Sequence, residues 1–556
     1  MDVDELLPRR RPGDPLVELM RQDLDPLSRD ELEERITLLE AEIARSIEAL
    51  QDAAARAGAT ARQAGSHRRT GLRTGGDGGS HGAVRAAPGG GRPARLLLSL
   101  LLATSAGCAT AHRSLRPSSE TIQVAASDLG SAEGRRRVSR ASLERHDTFT
   151  LGVVEFDDQG YYWDRRQADA LVAEIRREAE GPGQPAVLVN VFVHGWRHTA
   201  DVCDSNLCCF REALGHVARR QAEVLAVAGD GRKPSKIFGV FVGWRGLSKR
   251  VWPFEHFSFL SRKNVATKVG AGHMTEFLTR LDRLREELNA GGRERSRLVV
   301  VGHSLGATVV YTAVSGVLKS RLAEAYPGFD PRTGQARLIR GFGDLVILVN
   351  PALDAVAFHP LWELAERFTA FARSQRPLVV VLGSETDSAT GTFFPVGQTV
   401  ATLFERTRDR EQRRALRTAV GNYEPFVSYR LAARSPAAVE GGPEPKVDDC
   451  RCRLPYEPLT SVEKAEIERG TRTGDAGRAA KGGVVDVSRD GTPCEPSRTY
   501  GQTVLSCVKP VLRGNPIRVI RAAPEVLHEH GGFYNPLLGD FLRRLLIGSD
   551  PDLAPP

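Results

Sequence analysis

The chain predicts an α/β fold: a mostly parallel sheet with helices on both faces, preceded by a separate N-terminal helix and a disordered linker. Three observations predict it. Short runs that are apolar at nearly every position recur at Ala186 to Val193, Ile237 to Val242, Leu298 to Val301, Leu345 to Val349 and Leu378 to Leu382. Such runs describe strands buried on both faces, as in a parallel sheet. Between them lie stretches with helical apolar spacing, Arg165 to Ala179 and Asn206 to Val224, which is the alternation of βαβ units. The first ninety or so residues share neither pattern nor composition with the rest.

Taken in order, residues 1–55 form an amphipathic helical segment. Ser28-Arg29-Asp30-Glu31 is a capping box, and Leu32, Ile36, Leu39, Ile43, Ile47 and Leu50 follow at spacings of three and four. The segment is similar to a family of very short uncharacterised bacterial proteins with the same LSxDELEERIxLLEAEIAR core. It reads as a lone helix with no enzymatic role, whose apolar stripe could self-associate. Residues 56–91 turn to Ala, Gly, Arg and Ser without apolar period, a disordered linker.

Residues 92–108 look like a targeting signal. Arg92 and Arg95 precede Leu96 to Ala103, and Ser105-Ala106-Gly107-Cys108 follows: a charged region, a short apolar region and small residues before a cysteine. The apolar run is too short to span a bilayer. Its end resembles a bacterial lipobox, with Ser105 in place of the usual Leu, which implies a lipid anchor at Cys108 and a location at the cell envelope on the periplasmic side. If the signal is unused, the location is cytoplasmic. Because composition changes abruptly here, the expectation is a true start near Val84 or two fused reading units. Residues 109–147 are expected to be a flexible tether.

Composition excludes little. The chain has 556 residues, 41% hydrophobic and 26% charged, with a net charge of +8. Much of the basic excess is Arg in low-complexity stretches, and no basic groove with interleaved aromatics marks a nucleic-acid partner. Besides Cys108 there are Cys203, Cys208, Cys209, Cys450, Cys452, Cys494 and Cys507. Their spacing does not suit zinc, so disulfides in an oxidising compartment are expected, with pairing open.

The chemistry concentrates where Leu298 to Val301 runs into Gly302-His303-Ser304-Leu305-Gly306 and a small-residue helix. A serine between two glycines in a strand-turn-helix context is a nucleophile elbow: the turn is too tight for Cβ atoms two positions either side. These residues resemble the esterase and lipase branch of the α/β-hydrolase superfamily. The resemblance implies a core at 148–432, a partly disordered insertion at 433–510, and a C-terminal strand, histidine loop and helix at 511–548. It also implies Ser304 as nucleophile, no metal or cofactor, and an oxyanion hole of the Leu305 N–H and the Trp196 N–H, the latter from His194-Gly195-Trp196 after the Ala186 to Val193 strand.

Beyond the serine the superfamily keeps an acid, then a histidine. Asp387 follows the Leu378 to Leu382 strand and is the chosen acid, with Glu385 and Asp354 as alternatives. Of 13 histidines, only His359, His528 and His530 lie beyond Ser304. His530 is preferred to His528, because Gly531 and Gly532 leave its imidazole room to reach a cleft. The expected reaction is acyl transfer from a small-molecule or lipid ester to water. An acyltransferase of the same fold and a non-catalytic binding protein are the alternatives. Trp196 and Trp244, at strand C-terminal ends, read as cleft-lining or as packing, whereas Phe257, Leu260, Met274 and Phe277 read as either pocket wall or core, with core the simpler reading.

Overall fold

The computed structural model describes residues 113–547, except 126, 230, 248–253, 291–294, 331, 336, 373–374, 403–404, 436–446, 449, 457, 473–496 and 513. The expected N-terminal helix, linker and signal lie outside the described residues. What is described is an α/β fold built on a 12-stranded sheet.

Its strands are β1 (Ser118–Gln123), β2 (Ala141–Arg145), β3 (Thr150–Glu155), β4 (Val187–Val193), β5 (Lys236–Gly243), β6 (Arg297–His303), β7 (Leu345–Val349), β8 (Val379–Ser384) and β9 (Tyr429–Ala433). A two-residue pair, β10 (Val447–Asp448) and β11 (Arg451–Cys452), stands apart, followed by β12 (Arg498–Tyr500), β13 (Thr503–Cys507) and β14 (Ile517–Ala522). The sheet order is β1-β2-β3-β5-β4-β6-β7-β8-β14-β9-β13-β12. From β3 to β9 every pairing is parallel; β2 with β3, β9 with β13 and β13 with β12 are antiparallel.

The helices are α1 (Ala132–Val138), α2 (Arg165–Ala179), α3 (Ser205–Ala228), α4 (Phe254–Ala271), α5 (His273–Asn289), α6 (Leu305–Ala325), α7 (Ala355–Glu366), α8 (Phe394–Ala401), α9 (Arg410–Arg417), α10 (Ser461–Arg472) and α11 (Pro536–Ile547). The side chains of Asp164 and Asp204 cap α2 and α3 by accepting N–H bonds from Arg166 and Asn206. Strand alternation sorts the two faces. Leu298 and Val300 of β6 join one core with residues of α2, α5 and α6, whereas Val299 joins the other with Leu537, Leu538 and Phe541 of α11.

Chain direction then fixes a crevice. The connection leaving β4 runs through α3 on one face, and that leaving β6 runs through α6 on the other, although β4 and β6 are neighbours. In a parallel sheet such a switch point opens a cleft at the strand C-terminal ends.

One expectation needs correction. The tether predicted for 109–147 contains β1, α1 and β2, which extend the sheet beyond β3. Its holding point is Glu144, fully buried, which accepts bidentate bonds from Arg211 at 2.8 Å and pairs with Arg116 at 3.2 Å. A strand carrying a charge inward does not read as a strand until its partner, 67 residues away, is known. Of the insertion expected at 433–510, the described residues supply β12 and β13 to the sheet edge and also form α10. Disulfides Cys203–Cys450 and Cys209–Cys452 fasten it to α3 and the loop before it. Cys507 is disulfide-bonded too, while Cys208 is a buried free thiol that burial pushes up to about 11.

Candidate active site

Ser304 stands between β6 and α6 at φ 56° and ψ −121°, a conformation that costs an L-residue strain and persists only where surroundings enforce it. The flanking glycines enforce it by allowing backbones to touch. A Cβ at Gly302 would lie 2.6 Å from Ala307 Cα, and one at Gly306 2.1 Å from the Val193 carbonyl oxygen. The Ser304 N–H donates to the Val349 carbonyl at 3.0 Å, and its own carbonyl accepts from Ala307 and Ala352 at 3.1 Å. The turn is thus stitched to β7 as well as to its own helix.

The structure brings Ser304, His530 and Asp387 together. His530 Nε2 is 2.8 Å from Ser304 Oγ, and His530 Nδ1 is 2.9 Å from Asp387 Oδ2. Asp387 is buried. Besides the imidazole, its carboxylate accepts from Thr390 Oγ1 at 2.6 Å and from the N–H groups of Ala389 and Thr390 at 2.9 and 3.2 Å. Burial opposes ionisation there, yet His530 and Thr390 together hold the carboxyl below its ordinary range.

The alternatives are occupied elsewhere. Glu385 makes a bidentate pair with Arg430 at 2.7 and 3.1 Å, and Asp354 accepts from Lys263 Nζ at 3.0 Å. His528 is half-exposed, its nearest carboxylate being Glu529 at 4.0 Å. His359 faces Glu363 at 3.8 Å on α7.

The turn after β4 lies against the serine. A Cβ at Gly195 would come within 2.8 Å of Ser304 Cβ, so the peptide carrying the Trp196 N–H runs beside the hydroxyl's carbon, and the Leu305 N–H follows the serine at the start of α6. His194 and Trp244 clamp this turn reciprocally. Trp244 Nε1 donates to the His194 carbonyl at 3.0 Å, and the Trp244 backbone N–H donates to His194 Nε2 at 3.2 Å. Burial pulls His194 down to about 4, which keeps Nε2 an acceptor while Nδ1 donates to Gly195. His194 therefore supports the turn, as expected, and Trp244 is buried in that role rather than lining a cleft. Trp196 remains half-buried, edge-on to Phe259, with the Arg197 guanidinium 4.5 Å from its ring centre. Met274 and Phe277 are fully buried core; the side chains of Phe257 and Leu260 lie outside the description.

Two positioning residues escaped sequence reasoning. Asn350, buried at φ 42° after β7, donates from Nδ2 to the Glu529 and His530 carbonyls at 2.9 and 3.0 Å, and its Oδ1 accepts from the Ser384 N–H at 2.8 Å. His303, inside the elbow, donates from Nε2 to the same His530 carbonyl at 2.9 Å. The histidine loop is thereby fastened to the ends of β6 and β7. The only advance signal was position: an Asn at a strand end, and the residue before the serine.

Such an arrangement can move a proton from a serine hydroxyl to an imidazole held by a carboxylate, with two backbone donors nearby. Among the described residues no group of three or more His, Cys, Asp or Glu side chains is arranged to hold a metal ion, and no helix is long and apolar enough to cross a membrane. Residues 4–62 match a family model described as a protein of unknown function, DUF1192. No curated protein matches the chain.

Proposed function

We propose that this protein is a serine hydrolase of the α/β-hydrolase type that cleaves carboxylic esters through an acyl-enzyme. One observation carries the reading: Ser304 Oγ, His530 and Asp387 form a continuous hydrogen-bonded line of 2.8 and 2.9 Å, with the serine held in strained backbone at a strand-helix turn. In this reading Ser304 attacks the ester carbonyl while His530 Nε2 takes its proton, then returns it to the leaving alcohol. Asp387 keeps the imidazole tautomer with Nδ1–H and stabilises the imidazolium. Water repeats the sequence on the acyl-enzyme. The N–H groups of Leu305 and Trp196 hold the oxyanion, each lowering the barrier by about 3 kcal/mol. The positive end of α6, 21 residues long, points at the same charge.

We further propose an envelope location with Cys108 as a lipid anchor. Its support is the signal-like sequence and the pair of disulfides, which persist in oxidising compartments.

The test is labelling and turnover together. A fluorophosphonate should modify Ser304, and short p-nitrophenyl esters should be hydrolysed. Ser304→Ala should lose both, by orders of magnitude in rate. A wild-type protein that neither labels nor turns over, or a Ser304→Ala variant within about tenfold of wild type, overturns the assignment.

A further inference from the structure

On the face of the sheet opposite α6, side chains of the two central strands line a cavity of about 1050 Å³ with α3 and α11 as its walls, twice the volume of a second one of about 500 Å³ at the strand N-terminal ends. The larger cavity does not include Ser304, Asp387 or His530. Its floor is a square of cross-strand neighbours, Leu188 opposite Arg297 and Asn190 opposite Val299. At the centre of a sheet these inward positions ordinarily carry apolar side chains. Here one is a guanidinium and one an amide, and Asn190 Nδ2 is buried without a hydrogen-bond partner among the described residues. A buried donor left unmade is costly unless something supplies the acceptor.

Charge says what kind of acceptor. Among the described lining residues eight are Arg or Lys, against two carboxylates, Glu463 and Asp540. Glu463 Oε1 alone receives Arg220 at 2.5 Å, Arg544 at 2.7 Å and Arg543 at 3.1 Å. Burial, and then repulsion from Arg220, draws Arg543 down to about 10. Burial likewise draws Arg297 down despite Asp344. A positive cleft with low-dielectric walls concentrates anions. The remaining lining is apolar, including Val217, Val224, Leu454, Phe533 and Leu542, and the volume suits a small organic molecule.

We infer that this cavity binds an oxyanion carrying an apolar chain, a carboxylate or a phosphate monoester, with the Arg297 guanidinium and the Asn190 amide on the head group and the α3 and α11 walls around the chain. This goes beyond the proposed hydrolase activity and does not depend on it. Phe533 lines the cavity and also packs on His303, ring centres 4.4 Å apart, so one side chain separates the ligand from the elbow.

Isothermal titration of the full chain with octyl phosphate, octanoate, octanol and octyltrimethylammonium tests it. Either or both of the two anions should bind, which also tells phosphate from carboxylate, and at least tenfold more tightly than octanol or the cation. Asn190→Leu and Arg297→Gln should each weaken the preferred anion at least tenfold. Val224→Trp, on a partly exposed stretch of α3, should weaken both anions by filling the cavity and serves if the floor variants fail to fold. Hydrogen exchange should slow in α3 and α11 when the anion is added. Equal binding of octanol and octyl phosphate, no binding of either anion, or undiminished binding by folded Asn190→Leu and Val224→Trp variants overturns the inference.

Discussion

Ser304, His530 and Asp387 stand in a line because other side chains hold each of them, and single substitutions should reveal which. His530→Ala should cost as much activity as Ser304→Ala, since members of a triad act as a unit, whereas His528→Ala should stay near wild type. Ester turnover of the two variants decides it, and a reversed ranking would place the base on the wrong neighbour. The buried histidines make a second, independent statement. His194 is held near 4 and His303 well below the ordinary value of 6.5, chiefly by burial. The folded state therefore refuses protons that an unfolded histidine accepts. The stabilisation is intact above pH 6.5 and is lost as pH falls toward 4. Between pH 6.5 and 5, before the carboxylates titrate, His194 should cost about 2 kcal/mol of unfolding free energy, and His303 adds to the loss in the same direction. Urea unfolding across that window measures the loss, and His194→Gln should make the slope shallower.

At the scale of elements, the stretch before β3 is tied to the body by a buried ionic cluster. Glu144 on β2 neutralises Arg211 on α3 and Arg116 ahead of β1, all three buried. Glu144→Gln would leave two guanidinium groups without their counter-charge, and removing one partner of a buried pair costs about 3–5 kcal/mol. The expected result is a large drop in the urea midpoint, with exchange protection lost first in β1 and β2. A change under about 1 kcal/mol would mean that the triad is dispensable. The insertion is held differently, by two disulfides to α3 and its preceding loop, so reducing agent should loosen α10 and β11 while leaving β4 and β6 protected.

For the whole molecule, the folded start of β1 changes what a lipid at Cys108 would do. Arg116 is fully buried, so the chain between it and Cys108 spans at most about 29 Å. An anchored enzyme would sit close against the bilayer rather than roam on a long tether, which favours lipid or other envelope esters as substrates. Cells given a palmitate analogue should label the wild-type protein and not Cys108→Ser, and the labelled protein should partition with membranes, because acyl chains contribute about 0.8 kcal/mol per buried CH₂. An unlabelled, soluble wild-type protein would remove the anchor and the substrate preference with it.

What could be read along the chain was whatever depends on near neighbours. Strands apolar at nearly every position declared a parallel sheet, and observed β4 to β8 begin and end within about two residues of the expected runs. The glycines around Ser304 declared the turn; the steric reason for Gly302 is local, against Ala307, while that for Gly306 lies at Val193 on the neighbouring strand. Chain order narrowed the acid and histidine, and the choice of His530 rested on two adjacent glycines. Other features depend on residues far apart in sequence: Glu144 with Arg211, Trp244 with His194, Asn350 and His303 with the His530 carbonyl, and the square of Leu188, Asn190, Arg297 and Val299. A buried charge or amide looks like a surface residue until its partner is brought to it, and only sheet order and register bring it. Local pattern therefore determined the elements and the tight turn at Ser304, while tertiary structure decided which polar groups are satisfied, what fastens the histidine loop, and where a basic cavity opens.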